Sequence, residues 1–351
     1  MREPRFNRVV ILAEGAFELE GAKTAVGIIR YGQCKTVAVI DSRYAGKSVG
    51  DLINVGHDIP IVASLQDALK YGPEAFVIGI APKGGILPEA WKATVLDAIR
   101  ADLDIVSGLH SFLADDPEIS TLASERGVVV ADVRRPPAFM KVSEGRCRNL
   151  SQEVVLTIGT DCCVGKMTVS LEINNLARQR GLSTDFVATG QTGIMIWGRG
   201  ISVDACISDF LAGAVESMVL DAAERADIIL VEGQGSLYHP GYSAVTLGLI
   251  HGAMPRQMIL CHNMSRTEVG KYGIKIPPFK DVVEYHHSVC GPLFPTRVTG
   301  IALNTFYLSE DEARKVIDQA EDQTGLPVTD CIRFGSEKLL DAIIQNRKIL
   351  Q

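Results

Sequence analysis

The sequence predicts two α/β domains in tandem, each built on a parallel sheet. Three observations carry that reading. Short Val- and Ile-rich runs alternate with helix-like stretches from end to end. The alternation breaks once, near the middle, and then restarts. Just after the restart, "TIGTDCCVGKMT" places a glycine-containing loop and a lysine between a strand-like and a helix-like run. Near-continuous apolar strands belong to parallel sheets covered on both faces, and strand–helix alternation makes such a sheet doubly wound.

In the first half, strands are expected at 8–13, 36–41, 75–80, 104–108 and 127–133, with helices such as "GAKTAVGIIRYG" and "PEAWKATVLDAIRAD" between them. The stretch "RRPPAFMKVSEGRCRNLSQE" has Pro136 and Pro137, several charges and little periodicity. The expected division is therefore a first domain over 1–135, a linker over 136–153 and a second domain over 154–351. In the second half strands are expected at 154–159, 185–190, 227–233, 257–263 and 298–304, with an edge strand at 328–334. Long helices are expected at 203–225 and 310–324. The second has Ser309 and Glu312 at capping-box spacing and Gly325 as its stop.

The composition bounds the function. The chain has 351 residues, 46% of them hydrophobic and 22% charged, so it can bury sizeable cores. Its formal charge is −7 and no basic stripe is visible, so no nucleic-acid partner is expected. No apolar run approaches the ~18 residues of a membrane span. The eight cysteines form no C-x-x-C pair, and no secretory signal is visible. Reduced thiols in a cytoplasm are the expectation, with no resident metal.

Residues 159–168 have the context of a phosphate loop: strand, glycine, loop, Gly-Lys, helix. Backbone N–H groups of such a loop and of the first helical turn converge on one anion. Gly159, Thr160, Asp161, Cys162, Cys163, Val164, Gly165, Lys166, Met167 and Thr168 are therefore the candidate cofactor-binding set. Five residues separate the two glycines instead of four, and Met167 stands where a hydroxyl would position magnesium.

"GTDCCVGK" resembles the loop of dethiobiotin synthetase, and "ADIILVEGQGS" resembles that family's strand-plus-glutamate segment. The second likeness implies that Glu232 faces the phosphates or their metal. A broader resemblance runs through "AEGAFELEGAKTAVGIIRYG", "VIDSRYAGK", "VIGIAPKGG", "RRPP", "GTDCCVGKMT", "ATGQTGIMIWG" and "EGQGSLYHPGYS". In that order these blocks resemble the family catalogued as domain of unknown function 1611. The resemblance implies an N-terminal Rossmann-like sheet and a C-terminal P-loop NTPase-like sheet. It also implies a D-glutamate N-acetyltransferase that uses acetyl-CoA. Coenzyme A carries a pyrophosphate, so the loop would hold a handle and transfer no phosphoryl group; a missing magnesium-positioning hydroxyl is then tolerable.

Acetyl transfer to an amine needs a base, donors for the thioester oxygen, and close placement of the reactants. Glu232, His239, His262 and Asp161 are the candidate catalytic groups. His239 lies in a Gly/Ser/Pro-rich segment that is not expected to be core. A dicarboxylate acceptor wants cationic partners, and Arg199, Arg266, Lys271 and Arg297 are the candidates. Each also has the reading of a solvated surface residue. The Gly- and Pro-rich stretch 264–297 is expected to be a long loop, either a lid or a contact in a homo-oligomer. "APKGG" at 81–85 could receive a ligand at the edge of the first sheet. The main alternative is an ATP- and Mg2+-dependent carboxylate-activating enzyme of the dethiobiotin synthetase type. A nucleotide-responsive regulator or metallochaperone GTPase is the other.

Overall fold

A computed structural model of the chain describes residues 4–18, 21–80 and 82–349. Ala81, the first residue of "APKGG", lies outside them. Two compact units form: Met1–Pro136 with Gln191–Ser202, and Pro137–Gly190 with Val203–Gln351.

The first unit holds six strands: β1 Arg8–Leu12, β2 Lys35–Ile40, β3 Ile61–Val62, β4 Ala75–Ile78, β5 Asp104–Ser107 and β6 Val130–Asp132. Their order is β3-β2-β1-β4-β5-β6, and every pair is parallel. The strand order reverses between β1 and β4, as in Rossmann-like sheets. Val9, Val10, Ile11, Phe76 and Val77 are fully buried, because helices cover both faces. At the end of β2, where dinucleotide-binding sheets place an acidic residue for a ribose, Asp41 is fully buried. It accepts from the Phe17 N–H at 3.0 Å and from Arg43, so the chain itself occupies that carboxylate.

The second unit is built on β7 Glu153–Gly159, β8 Thr184–Val187, β9 Ile228–Val231, β10 Gln257–Asn263, β13 Arg297–Asn304 and β14 Val328–Thr329. A separate hairpin pairs β11 Glu268–Val269 with β12 Ile274–Lys275. The large sheet is wholly parallel, in the order β14-β13-β10-β7-β9-β8. All seven residues of β7 are buried, so the strand that delivers the loop is the rigid centre of the unit. The capping box at Ser309 and Glu312 forms, and Gly325 ends that helix in the left-handed region at φ 68°.

Beyond strand ends, where the expected edge strand 328–334 shrinks to Val328–Thr329 because the chain turns after it, the structure departs from the sequence reading in four places. Residues 137–153 are not a free linker. The buried Glu216 carboxylate accepts from the Glu144 and Arg146 N–H groups, and Cys147 enters the core. A buried carboxylate needs donors, and this segment supplies them. Residues Gln191–Ser202 pack with the first unit: Thr192 Oγ1 meets Thr24 Oγ1 at 2.7 Å, and Gln191 Oε1 accepts from Arg134 at 3.0 Å. The stretch 264–297 is not one loop, since it contains the β11–β12 hairpin and the helix Phe279–Cys290. The expected helix over 203–225 is a 3-10 turn, Val203–Ala205, followed by the helix Ser208–Ala223.

Candidate phosphate-binding site

Strand β7 ends at Gly159, and the helix Lys166–Gln179 begins seven residues later. Between them the chain turns twice through the left-handed region, at Cys163 (φ 56°) and Gly165 (φ 103°). The second value is one that only glycine adopts without strain. No side chain caps the helix, whose N-cap residue is Gly165. Its first-turn N–H groups and the positive end of its dipole are therefore offered to a ligand.

Lys166 is buried and lies across the loop. Its Nζ donates to the carbonyl oxygens of Asp161 and Gly235, both at 2.8 Å. Burial lowers its pKa. Thr160 is fully buried, and its Oγ1 meets His262 Nδ1 at 2.8 Å. The His262 ring packs edge-on against Phe279 at 5.2 Å. Burial, helped by the Arg266 cation, pushes the His262 pKa down to about 4. This histidine is a neutral prop behind the loop.

The Asp161 side chain knots the loop to its surroundings. It accepts from the Cys162 N–H at 2.6 Å, from the Gly270 N–H at 2.9 Å and from the Arg266 guanidinium. Burial pushes its pKa up, but these N–H donors and the Arg266 charge outweigh it, and the carboxylate is held below its usual range. An ionised carboxylate with three donors on it is a poor proton acceptor. Arg266 also donates to the Cys162 carbonyl at 2.8 Å, so its guanidinium serves the loop. Burial raises the Cys162 thiol to about 11, which leaves little thiolate near neutral pH.

Glu232 follows β9, next to β7 in the sheet. It is 3% exposed. Its Oε2 accepts from the Thr189 N–H at 2.8 Å and the Gly190 N–H at 3.1 Å, both just beyond β8. Burial raises its pKa to about 7, against the pull of those two hydrogen bonds and the Lys166 charge. Gln234 donates to Thr189 Oγ1 at 3.2 Å, and Thr189 Oγ1 donates to the Glu232 carbonyl at 2.7 Å. Gly233 lets this loop lie against β7: a Cβ there would stand 1.7 Å from the Thr157 carbonyl oxygen.

His239 is buried, contrary to the expectation for its segment. Its ring lies 4.6 Å from that of Tyr242 and 5.1 Å from that of Tyr272 in the β11–β12 turn. Its Nδ1 accepts from the Gly241 N–H at 3.1 Å. A His239 ring nitrogen, the Asp161 carboxylate and the Cys162 sulfur lie within 4.8 Å of one another. Asp161 already holds Arg266, so a metal cation at these three groups would compete with the guanidinium.

The four expected carboxylate partners scatter. Arg266 is at the loop, and Lys271 is exposed in the hairpin turn above it. Arg297 pairs with Gln257 at the first rung of the β10–β13 ladder, whereas Gly159 pairs with Cys261, which pairs with Ala302. Five residues of strand, about 16 Å, therefore separate Arg297 from the loop's end of the sheet. Arg199 is exposed in the first unit, in the turn after the helix Gln191–Trp197. His287 accepts from the Val298 N–H at the amino end of β13, away from the loop. The sequence reading did not single out Thr189, Gly190, Gln234, Tyr242 or Tyr272. The blocks "ATGQTGIMIWG" and "EGQGSLYHPGYS" contain four of these five, but neither hinted that the Thr189 and Gly190 N–H groups meet the Glu232 carboxylate.

A parallel sheet with an uncapped glycine loop, a buried lysine and an acidic residue on the neighbouring strand defines a phosphate-loop α/β protein. Residues 141–340 match the family model described as the P-loop domain of DUF1611, a domain of unknown function, and residues 42–136 match its Rossmann-like N-terminal domain. The chain is 35% identical over 332 residues to a D-glutamate N-acetyltransferase of Tritonibacter scottomollicae, covering 93% of this chain and 95% of that one. It is 35% identical over 285 residues to a protein of the same name from Pseudoalteromonas sp, covering 81% and 84%. A crystal structure of a DUF1611 family protein from Anabaena variabilis superposes with a TM-score of 0.92 at 43% identity, covering 97% of this chain and 100% of that one. The chain belongs to the DUF1611 family and is an enzyme of the acyltransferase class. Among the described residues, no helix is long and apolar enough to cross a membrane.

Proposed function

We propose that this enzyme moves the acetyl group of acetyl-CoA to the amino group of D-glutamate, with residues 159–168 holding the CoA pyrophosphate. The near-full-length similarity to two D-glutamate N-acetyltransferases carries the activity. The uncapped loop and its buried lysine support the pyrophosphate handle. Met167 in place of a metal-positioning hydroxyl favours a handle over phosphoryl transfer.

In this reading Glu232 takes a proton from the acceptor ammonium. The freed amine attacks the thioester carbonyl carbon and the C–S bond breaks. The CoA thiolate leaves and takes the second proton, which the attacking nitrogen must lose, and Glu232 gives the first to water. A carboxyl poised near 7 suits that exchange at neutral pH. Reach imposes a condition. A pantetheine arm is about as long as four extended residues, about 14 Å, so the arm must double back for its thioester to reach Glu232. Lys271 and the outer face of Arg266 attract the acceptor carboxylates, and Arg297 has no part. Eight cysteines without a disulfide agree with a reducing cytoplasm. A homo-oligomer, tested by light scattering, completes the reading.

The deciding experiment measures CoA thiol release with D- and L-glutamate, with and without magnesium. The proposal expects metal-independent release with the D-isomer. Magnesium-dependent ADP formation from ATP, with no thiol release, would replace it with the carboxylate-activating alternative.

A further inference from the structure

His239 offers the site a proton donor and no base. A neutral imidazole has one N–H and one lone pair. The lone pair of His239 is Nδ1, where it accepts the Gly241 N–H at 3.1 Å. The ring proton is therefore on Nε2. To act as a general base the ring would have to take a proton at Nδ1, against a backbone N–H that cannot turn away. The Tyr242 and Tyr272 rings both pack against the imidazole.

The donor also has a direction. Nε2 makes no hydrogen bond among the described residues, yet it is not one of the side-chain atoms sealed from solvent. A ring that is 5% exposed thus shows its open nitrogen to the site. The neighbours are Gly270, whose added Cβ would stand 3.7 Å from Nε2, and the Asp161–Cys162 corner of the loop. That corner is part of the loop that holds the pyrophosphate in the reading above.

We infer that His239 Nε2–H is a ligand of the cofactor's pyrophosphate, donating to a phosphate oxygen alongside the loop N–H groups and Lys166. This rests on the pyrophosphate-handle reading above. A neutral donor suits this place. It adds a hydrogen bond to the anion without the desolvation cost of a third cation beside Lys166 and Arg266.

The test uses the full chain with 15N-labelled histidine, the His239 signals being assigned by their absence from H239Q. In the ligand-free protein at neutral pH, His239 should show a pyridine-type Nδ1 and a pyrrole-type Nε2. The Nε2–H signal should move on adding inorganic pyrophosphate or CoA, and should not move with S-acetyl-pantetheine, which has the arm without the phosphates. The reverse tautomer, a doubly protonated ring, or a response to S-acetyl-pantetheine alone would overturn the inference. Kinetics supply a second readout. H239A should raise KM for acetyl-CoA about ten- to hundredfold, the worth of a hydrogen bond to a charged group, with kcat changed little. H239Q, which restores an N–H near the Nε2 position, should recover most of that loss. An equal collapse of kcat in both variants would make His239 a base and overturn it. Wild-type protein that releases no thiol while its Nε2–H responds to pyrophosphate would sink acetyl transfer and leave the phosphate contact standing.

Discussion

The Lys166 ammonium donates to the Gly235 carbonyl, 69 residues further along the chain, at 2.8 Å. The phosphate loop and the segment after β9 are therefore one structure, with the lysine as its tie. A lysine that is desolvated and held by carbonyls is ready to turn to a phosphate, because the anion replaces two dipoles with a full charge.

Lys166→Met should keep the fold and weaken acetyl-CoA binding about ten- to hundredfold, from the loss of a charge-assisted contact. Isothermal titration with CoA measures it. Unchanged affinity would mean that the loop does not grip the cofactor.

Glu232 should govern the pH dependence. As the base it must be ionised, so kcat/KM should rise with pH through about 7 and level off above. Glu232→Gln should remove that limb and lower kcat by about 10²–10⁴. A variant that changes only KM would move the base further along the arm. Stability runs the other way. The folded pKa, about 7, lies above the ordinary 4.5. The group's stabilising contribution is therefore complete below the ordinary value and is lost as pH rises through about 7. Thermal melts between pH 5 and 8 should show a downward slope that Glu232→Gln flattens.

Gly233→Ala should be among the costliest single changes near the site. The new methyl would stand 1.7 Å from the Thr157 carbonyl, so strand β7 or the Glu232 loop must move. Overpacking of this kind costs about 1–3 kcal/mol or more. A lowered melting temperature, together with weakened CoA binding, is the expected pair of results.

The loop cysteines should be dispensable as nucleophiles. With its thiol raised to about 11, Cys162 is protonated at working pH. A Cys162→Ala/Cys163→Ala double variant should keep most activity, and intact-mass spectrometry of the acetyl-CoA-treated enzyme should show no acetyl adduct. A stable adduct on either residue would favour a two-step covalent route.

The arginines should separate. Arg266→Ala removes a guanidinium from the buried Asp161 carboxylate and should loosen the loop, raising KM for acetyl-CoA at least several-fold. Arg297→Ala, at the far end of β13, should leave steady-state kinetics within about twofold, as surface changes away from a site usually do.

Much of this was legible in advance. The apolar runs at 8–13, 154–159 and 257–263 became central strands because every one of their side chains must be covered, which only a parallel sheet under helices provides. The loop at 159–168 was legible because strand, glycine and lysine are adjacent in sequence, and local geometry follows from local residues. The sequence also brought Glu232 forward. It did not reveal that the Thr189 and Gly190 N–H groups cap that carboxylate, since the partners come from separate strands. Arg297 and Arg266 looked alike as residue types, but the register of β10 and β13 sets one at the foot of the sheet and the other over the loop.

By itself the sequence determined the two sheets and the phosphate loop, because each rests on periodicity or spacing within a short stretch; Glu232 came forward through the resemblance of its segment to that of dethiobiotin synthetase. Only the tertiary structure decided what those residues can do. Burial set Glu232 near neutrality, Arg266 and Gly270 closed on Asp161, and the Gly241 N–H chose the His239 tautomer. Desolvation and hydrogen bonding depend on which groups the fold brings within a few ångströms, and chain order does not record that.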